Sequence, residues 1–182
     1  IAYDMDKPFR VYGSVQDHGT YRCVVTHRPT REDRMGSRVS GWESCPGGEG
    51  THIAVDPTDS GLVYSSSFYG RLMRSELKND KWESKDVYPK PGPNEPPHRG
   101  QWLAPTILSP HNPSIVYHGF QYLYRSLDRG QTWERISPDL TYNDPAKQGK
   151  WPFAIPYASL SAISESPFKF GLIHAVTDDV LF

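Results

Sequence analysis

Apolar, β-branched and aromatic residues in this chain come in short runs, broken by Gly, Pro, Asn and Asp. The runs include THIAVDP, GLVYSSS, PTILSP, SIVYHGF, YLYRS, WERIS, LSAISESP and GLIHAV. Runs of this length, rich in Val, Ile and Tyr and bounded by turn formers, predict strands. Amphipathic stretches of helical period are scarce, so the pattern predicts an all-β fold.

The runs also repeat. HIAVDPTDSGLVYSSSFYGRLMRSELKNDKWES can be laid on PTILSPHNPSIVYHGFQYLYRSLDRGQTWERIS. Pro57 then falls on Pro110, Tyr64 on Tyr117, Arg74-Ser75 on Arg125-Ser126, and Trp82 on Trp133. A third copy begins at LSAISESPFKFGLIHAVTDD, with Pro167 on Pro110 and Ile173 on Val116, and an incomplete copy, FRVYGSVQDHG, leads the chain. A period of roughly fifty residues suits a four-stranded propeller blade. The boundaries follow: 1–50 an incomplete first blade and its link, 51–103 a blade, 104–158 a blade, and 159–182 the start of the next. Within the best copy, strands are expected at Thr106–Ser109, Ile115–Phe120, Tyr122–Ser126 and Trp133–Ser137. Alternating strand direction puts the first and third turns of each blade on one face. The second turns and the links between blades lie on the other.

Composition narrows the function classes. The chain has 182 residues, enough for a real core, with 20 Lys and Arg against 21 Asp and Glu and a net charge of −1. That balance gives no electrostatic reason to expect nucleic acid as a partner. No apolar run is long enough for a membrane span. The start at Ile1 suggests an excised or processed piece. Cys23 and Cys45 are the two cysteines. Their spacing does not suit a CxxC site, and a disulfide and two thiols are both open.

One stretch, SLDRGQTW from Ser126 to Trp133, gathers hydroxyls, an acid and a tryptophan. On the repeat it falls at the third turn of a blade, where each residue has a structural use. Asp128 can accept turn N–H groups, and Gly130 permits positive φ. Ser126 and Thr132 can close the hairpin, and Trp133 can bury its ring between blades. The equivalent SELKNDKW keeps Ser75 and Trp82 but lacks the Gly and the Thr.

SLDRGQTW fits the S-x-D-x-G-x-T-W pattern of the Asp-box, or BNR repeat. Arg99 to Gln148, PFRVYGSVQDHG, GGEGTHIAVDPTD and YASLSAISESPFKFGLIHAVTDDVLF together resemble a family of large secreted bacterial proteins. These are labelled glycosyl hydrolase BNR repeat or sortilin-like propeller proteins. The likeness runs in order along almost the whole chain. The chain departs from the family pattern at His18 (Asn), Glu49 (Asp), Phe68 (Gln), and Val176 and Val180 (both Gly). The resemblance implies a partial chain of a larger, seven-bladed β-propeller, with about three blades present. It implies an extracellular or periplasmic location and a structural Asp-box of Ser126, Asp128, Gly130, Thr132 and Trp133. It also implies partners in the form of remaining blades, from the same or another chain.

Any chemistry should lie on the face opposite the Asp-box. That face collects the catalytic candidates Asp17, Glu49, Asp178 and Asp179. It also collects His98 and the ligand-binding candidates His18, Tyr69, Arg99, Trp102, Gln121, Tyr122 and Trp151. Aromatic rings with acids and an arginine suit carbohydrate, and the expected ligand is an oligosaccharide or a protein. Hydrolysis would need two carboxylates about 5 to 10 Å apart. The competing reading makes the same acids turn formers. A glycan- or protein-binding module without catalysis is the leading expectation. A glycoside hydrolase and a scaffold in a multichain assembly are the alternatives. No cofactor and no metal site is expected; His118 and His174, on neighbouring strands, are the nearest thing to a histidine pair.

Overall fold

A computed structural model describes residues 1–25, 41–148 and 157–179. The described residues are all-β, with fourteen strands and one 3-10 turn at Phe68–Gly70. The first sheet holds β1 (Ala2–Tyr3), β2 (Arg10–Val15), β3 (Gly19–Val24) and β4 (Glu43–Cys45). The second holds β5 (Ile53–Asp56), β6 (Asp59–Ser66), β7 (Leu72–Lys78) and β8 (Lys81–Asp86). The third holds β9 (Thr106–Leu108), β10 (Val116–Gly119), β11 (Leu123–Ser126) and β12 (Glu134–Arg135). The fourth pairs β13 (Leu160–Glu165) with β14 (Ile173–Thr177). Every sheet is an antiparallel meander.

The repeat read from the sequence is physical. Tyr12 pairs with Arg22, Tyr64 with Arg74 and Tyr117 with Arg125, at one register in three sheets. All three tyrosines are fully buried, and each hydroxyl reaches the next sheet. The Tyr12 hydroxyl donates to Asp4 Oδ2 at 3.0 Å and lies 3.4 Å from the Ser60 carbonyl oxygen, Tyr64 donates to the Arg129 carbonyl at 3.4 Å, and Tyr117 to Glu165 Oε1 at 3.0 Å. A second repeated device closes the first hairpin of all four sheets. The side-chain oxygen of Asp4, Asp56, Ser109 or Ser166 accepts the N–H two residues on, from Asp6, Thr58, His111 or Phe168. Such side chain-to-backbone turns hold the corner without help from the ladder.

The core lies between the sheets. Tyr12, Cys45, Val55 and Val63 join the first to the second. Leu62, Tyr64, Leu72, Val87 and Val116 join the second to the third. Ile115, Tyr117, Leu123, Leu160, Ile163 and Ala175 join the third to the fourth. Each fully buried side chain of this size contributes about 1.5–3 kcal/mol, so stacking rather than strand pairing alone carries the fold. The first strands β1, β5, β9 and β13 lie side by side, and the first three line a concavity of about 640 Å³.

Two details differ from the expectations set by the sequence, and a third decides a question they left open. The leading unit is a full four-stranded sheet, because residues 25–42 separate β3 from a fourth strand of only three residues. Trp133 lies outside β12, since its indole turns into the second sheet. Cys23 and Cys45 are not bonded to each other. Cys23 faces Val11 while Cys45 faces Thr20, so the register sets them apart along β3. Among the described residues no helix is long and apolar enough to cross a membrane.

Candidate functional site

The turn from Ser126 to Trp133 is a clamp. Asp128 Oδ1 accepts the N–H of Gln131 at 3.0 Å, the N–H of Thr132 at 2.8 Å and the Ser126 hydroxyl at 2.7 Å. Its Oδ2 accepts the Thr132 hydroxyl at 2.6 Å. The hydrogen bonds from Thr132 lead in holding its carboxyl down to about 2. Ser126 Oγ accepts the Gly130 N–H at 2.7 Å. Arg129 and Gly130 take φ of 61° and 85°, the left-handed pair this turn needs. The clamp grips the second sheet: the Trp133 indole N–H donates to the Val87 carbonyl, and Arg74 donates to the Arg129 carbonyl at 3.1 Å. With every Asp128 oxygen committed to its own turn, this is architecture.

The opposite end gathers most of the residues the sequence singles out. Asp17, at φ 62°, donates its N–H to Glu49 Oε2 at 2.7 Å. That bond joins the second turn of the first sheet to the loop entering the second sheet. His18 turns back on its own hairpin, its Nδ1 2.8 Å from the Gln16 carbonyl oxygen. Ser14, Thr20 and Thr51 hydroxyls converge on the Gly48 carbonyl and fix the Glu49 loop.

Beside that loop stands an aromatic cluster. Phe68 and Trp102 have ring centroids 4.3 Å apart, and Tyr69 meets Trp102 edge-on at 5.6 Å. Tyr69 is an exposed aromatic at φ 59°, a conformation costly for any residue but glycine. The turn is held from below. A Cβ at Gly100 would collide with the Tyr69 carbonyl, and one at Gly70 would collide with the Phe120 ring. His118, wholly buried, bridges Thr106 Oγ1 at 2.7 Å and the Gly70 carbonyl at 2.8 Å. Burial pushes its imidazole down to about 4, so it is neutral and donates Nε2–H to Gly70. A satisfied structural role for this histidine was the expectation over a metal site, but not that it would hold the Tyr69 turn. The signal was a histidine in the second strand directly after the repeated tyrosine.

The remaining candidates are tied into the frame. Arg99 donates through Nε to the Ala158 carbonyl at 3.0 Å, and through its terminal nitrogen to Asp139 at 2.7 Å and Thr141 at 3.0 Å. Its N–H meets Gln121 Oε1 at 2.8 Å, and Gln121 is fully buried. Tyr122 is capped by the Arg135 guanidinium, 4.7 Å from its ring centre, and its edge meets His98. His98 lies against Phe120 at 4.4 Å, its Nε2 2.9 Å from the Tyr124 hydroxyl. Asp178 Oδ1 accepts the Ser159 N–H at 3.0 Å, and its Oδ2 takes Gln101 at 3.3 Å. Asp179 accepts the Tyr142 N–H at 3.0 Å and the Thr177 hydroxyl at 2.7 Å. Trp151 lies outside the described residues. His174 is exposed while His118 is buried, and among the described residues no group of three or more metal-ligating side chains forms.

The arrangement therefore offers a partly exposed aromatic shelf, Phe68–Tyr69–Trp102, flanked by Asp17 and Glu49 on one side and by Gln101 and Asp178 beyond Trp102. Of the four acids, Asp17 alone uses its main chain rather than its carboxylate in the contacts just described. The chain matches no family model and no curated protein.

Proposed function

We propose that this chain is a segment of an Asp-box β-propeller that binds glycan, in an extracellular or periplasmic protein, and that it binds without turnover. The propeller half of the reading rests on three features. Meander sheets stack face to face, the first strands lie side by side, and the Tyr–Arg pair recurs at one register in three sheets. Further sheets, in the same or another chain, complete the circle.

The observation that carries glycan binding is Tyr69 held at φ 59° with its edge against Trp102. Backbone strain of this kind costs about 1–3 kcal/mol and persists where surrounding structure enforces it. Gly100, Gly70 and His118 enforce it here. An aromatic shelf with acceptors at its rim suits a pyranose, whose C–H face stacks on a ring while its hydroxyls donate outward. Binding is favoured over hydrolysis because Asp178 and Asp179 each accept one main-chain N–H and one side-chain donor within the frame. That leaves Asp17 and Glu49 as the pair hydrolysis would need, and Glu49 already accepts the Asp17 N–H.

The test is calorimetric titration with a panel of neutral oligosaccharides, with reducing ends assayed in parallel. The reading expects one class to bind, Trp102→Ala to weaken it at least about tenfold, and no reducing ends to appear. Binding indifferent to Trp102→Ala, or steady release of reducing ends, contradicts it.

A further inference from the structure

Between the second and third sheets the chain takes a long way round. Residues 46–52 suffice to join β4 to β5, whereas residues 87–105 run from β8 to β9 with no strand or helix of their own. Connections longer than about 12–15 residues without secondary structure are uncommon and usually carry function. The later part of this one supplies Gly100 and Trp102 to the shelf. Its first residues, Val87 to Lys90, have a different use: they wall a cavity of about 390 Å³ against the Ser126–Trp133 turn. Both flanking sheets are complete four-stranded meanders, so the walls of the cavity are all in place. None of the shelf residues Phe68, Tyr69 and Trp102 lines it.

Tyr88, Tyr124 and Trp133 give the cavity aromatic walls. Two of the three are fixed. The Trp133 indole donates to the Val87 carbonyl, and the buried Tyr124 has its hydroxyl 2.9 Å from His98 Nε2. The link is pinned as well, because Glu95 accepts the Gly92 N–H at 2.9 Å and pairs with Arg135 at 3.1 Å. The charge of the cavity is positive. Lys85 and Lys90 both line it and both are exposed. The one acid among its lining residues, Asp86, is neutralised by Arg71 at 2.8 Å. The neighbouring pairs Arg74–Glu76 and Lys78–Glu83 leave the two lysines out, and among the described residues neither is in an ion pair. Lys90 rests on the Tyr88 ring, its ammonium 5.9 Å from the centre, a contact that is weak at an exposed site and leaves the charge open to an anion.

We infer that this cavity is a second carbohydrate site and that it takes an acidic sugar, a uronic acid residue with its ring on the aromatic walls and its carboxylate between Lys85 and Lys90. The size agrees, since ligand pockets run from roughly 300 to 1,000 Å³ and this one lies at the small end, with room for a sugar ring or two rather than a folded partner. The chemistry agrees too. An Asp or Glu side chain would satisfy the lysines and leave three rings idle, whereas a pyranuronate uses both. The pinned link holds the site open before the ligand arrives, which lowers the cost of binding. The site shares no lining residue with the Tyr69–Trp102 shelf, so its failure would leave the shelf reading standing.

Titration calorimetry tests it with trisaccharides of galacturonate, glucuronate and mannuronate, their neutral counterparts, and a triglutamate peptide. At least one uronate should bind, with its neutral counterpart and the peptide at least about tenfold weaker, the share of one charge-assisted hydrogen bond. The double variant Lys85→Gln, Lys90→Gln should lose uronate affinity by at least the same factor. Both positions are exposed, and thermal unfolding checks that the variant folds. A second readout needs only the unaltered chain: in proton–nitrogen spectra the uronate should move the indole N–H peak of Trp133 and leave that of Trp102 in place. No uronate bound, a neutral sugar or the peptide bound as tightly, a double variant that binds like the unaltered chain, or a shift at Trp102 instead of Trp133 overturns the inference.

Discussion

The Trp133 indole N–H lies 2.5 Å from the carbonyl oxygen of Val87, a bond from the last strand-entry of the third sheet to the end of the second. It couples the Asp128 turn to the neighbouring sheet. Trp133→Phe keeps most of the packing but leaves that carbonyl without its indole donor, and should cost about 1–2 kcal/mol. Trp133→Ala also empties the space beside Val87 and should cost about 3–5 kcal/mol. Urea unfolding midpoints give both values, and equal losses for the two would contradict the split.

Asp128 makes a smaller, pH-dependent contribution. Its carboxyl is held down to about 2 by Thr132, against 3.8 ordinarily, so its stabilisation is present above about pH 4 and is lost as pH falls toward 2. The side chain is largely solvated, which limits the effect to under about 1 kcal/mol. Asp128→Asn should flatten the stability curve in that window, and an unchanged acid limb would count against the bond scheme.

His118 dominates a higher window. With its folded pKa lowered from 6.5 to about 4, the unfolded chain binds more protons between those values. Stability is complete above about pH 6.5 and falls as pH drops toward 4, by roughly 3 kcal/mol in all. Burial also lowers His98 and His52, so they act in the same direction. His118→Gln should remove the largest part of the slope, read from unfolding midpoints at several pH values.

Tyr69 sets stability against binding. Tyr69→Gly relieves a left-handed aromatic residue, worth about 1 kcal/mol, and removes the ring that meets Trp102. The folded chain should be no less stable while the shelf loses its ligand. Gly100→Ala works the other way: its new methyl meets the Tyr69 carbonyl, so stability should fall by about 2 kcal/mol or more. Thermal unfolding of both variants, beside ligand titration, separates the two effects.

Much of this was legible in the sequence for a simple reason. A repeat exposes its own register, so Tyr64 over Tyr117 and Arg74 over Arg125 marked the pairs that the sheets later use. The Ser126–Trp133 turn was legible because its bonds are local. Short, distant strands were not: β4 has three residues, and only its pairing with Thr20–Arg22 identifies it. The end opposite the clamp was legible as a collection of residues but not as a site. Whether Arg99 faces a ligand or ties down Ala158 and Asp139 depends on where separate links of the chain arrive. Nothing local to Arg99 decides it. The support beneath Tyr69 was missed for the same reason, since His118 and Gly100 reach it from another sheet and another loop.

In the proposed function the Asp128 turn builds the fold while the Tyr69–Trp102 end meets glycan. Oligosaccharide titration of Trp102→Ala and Asp128→Ala, side by side and well below both unfolding midpoints, tests it most directly. The account expects Trp102→Ala to lose affinity at least about tenfold with its midpoint nearly kept. It expects Asp128→Ala to keep the affinity and lower the midpoint. The reverse pattern, affinity lost at Asp128 and retained at Trp102, would contradict it.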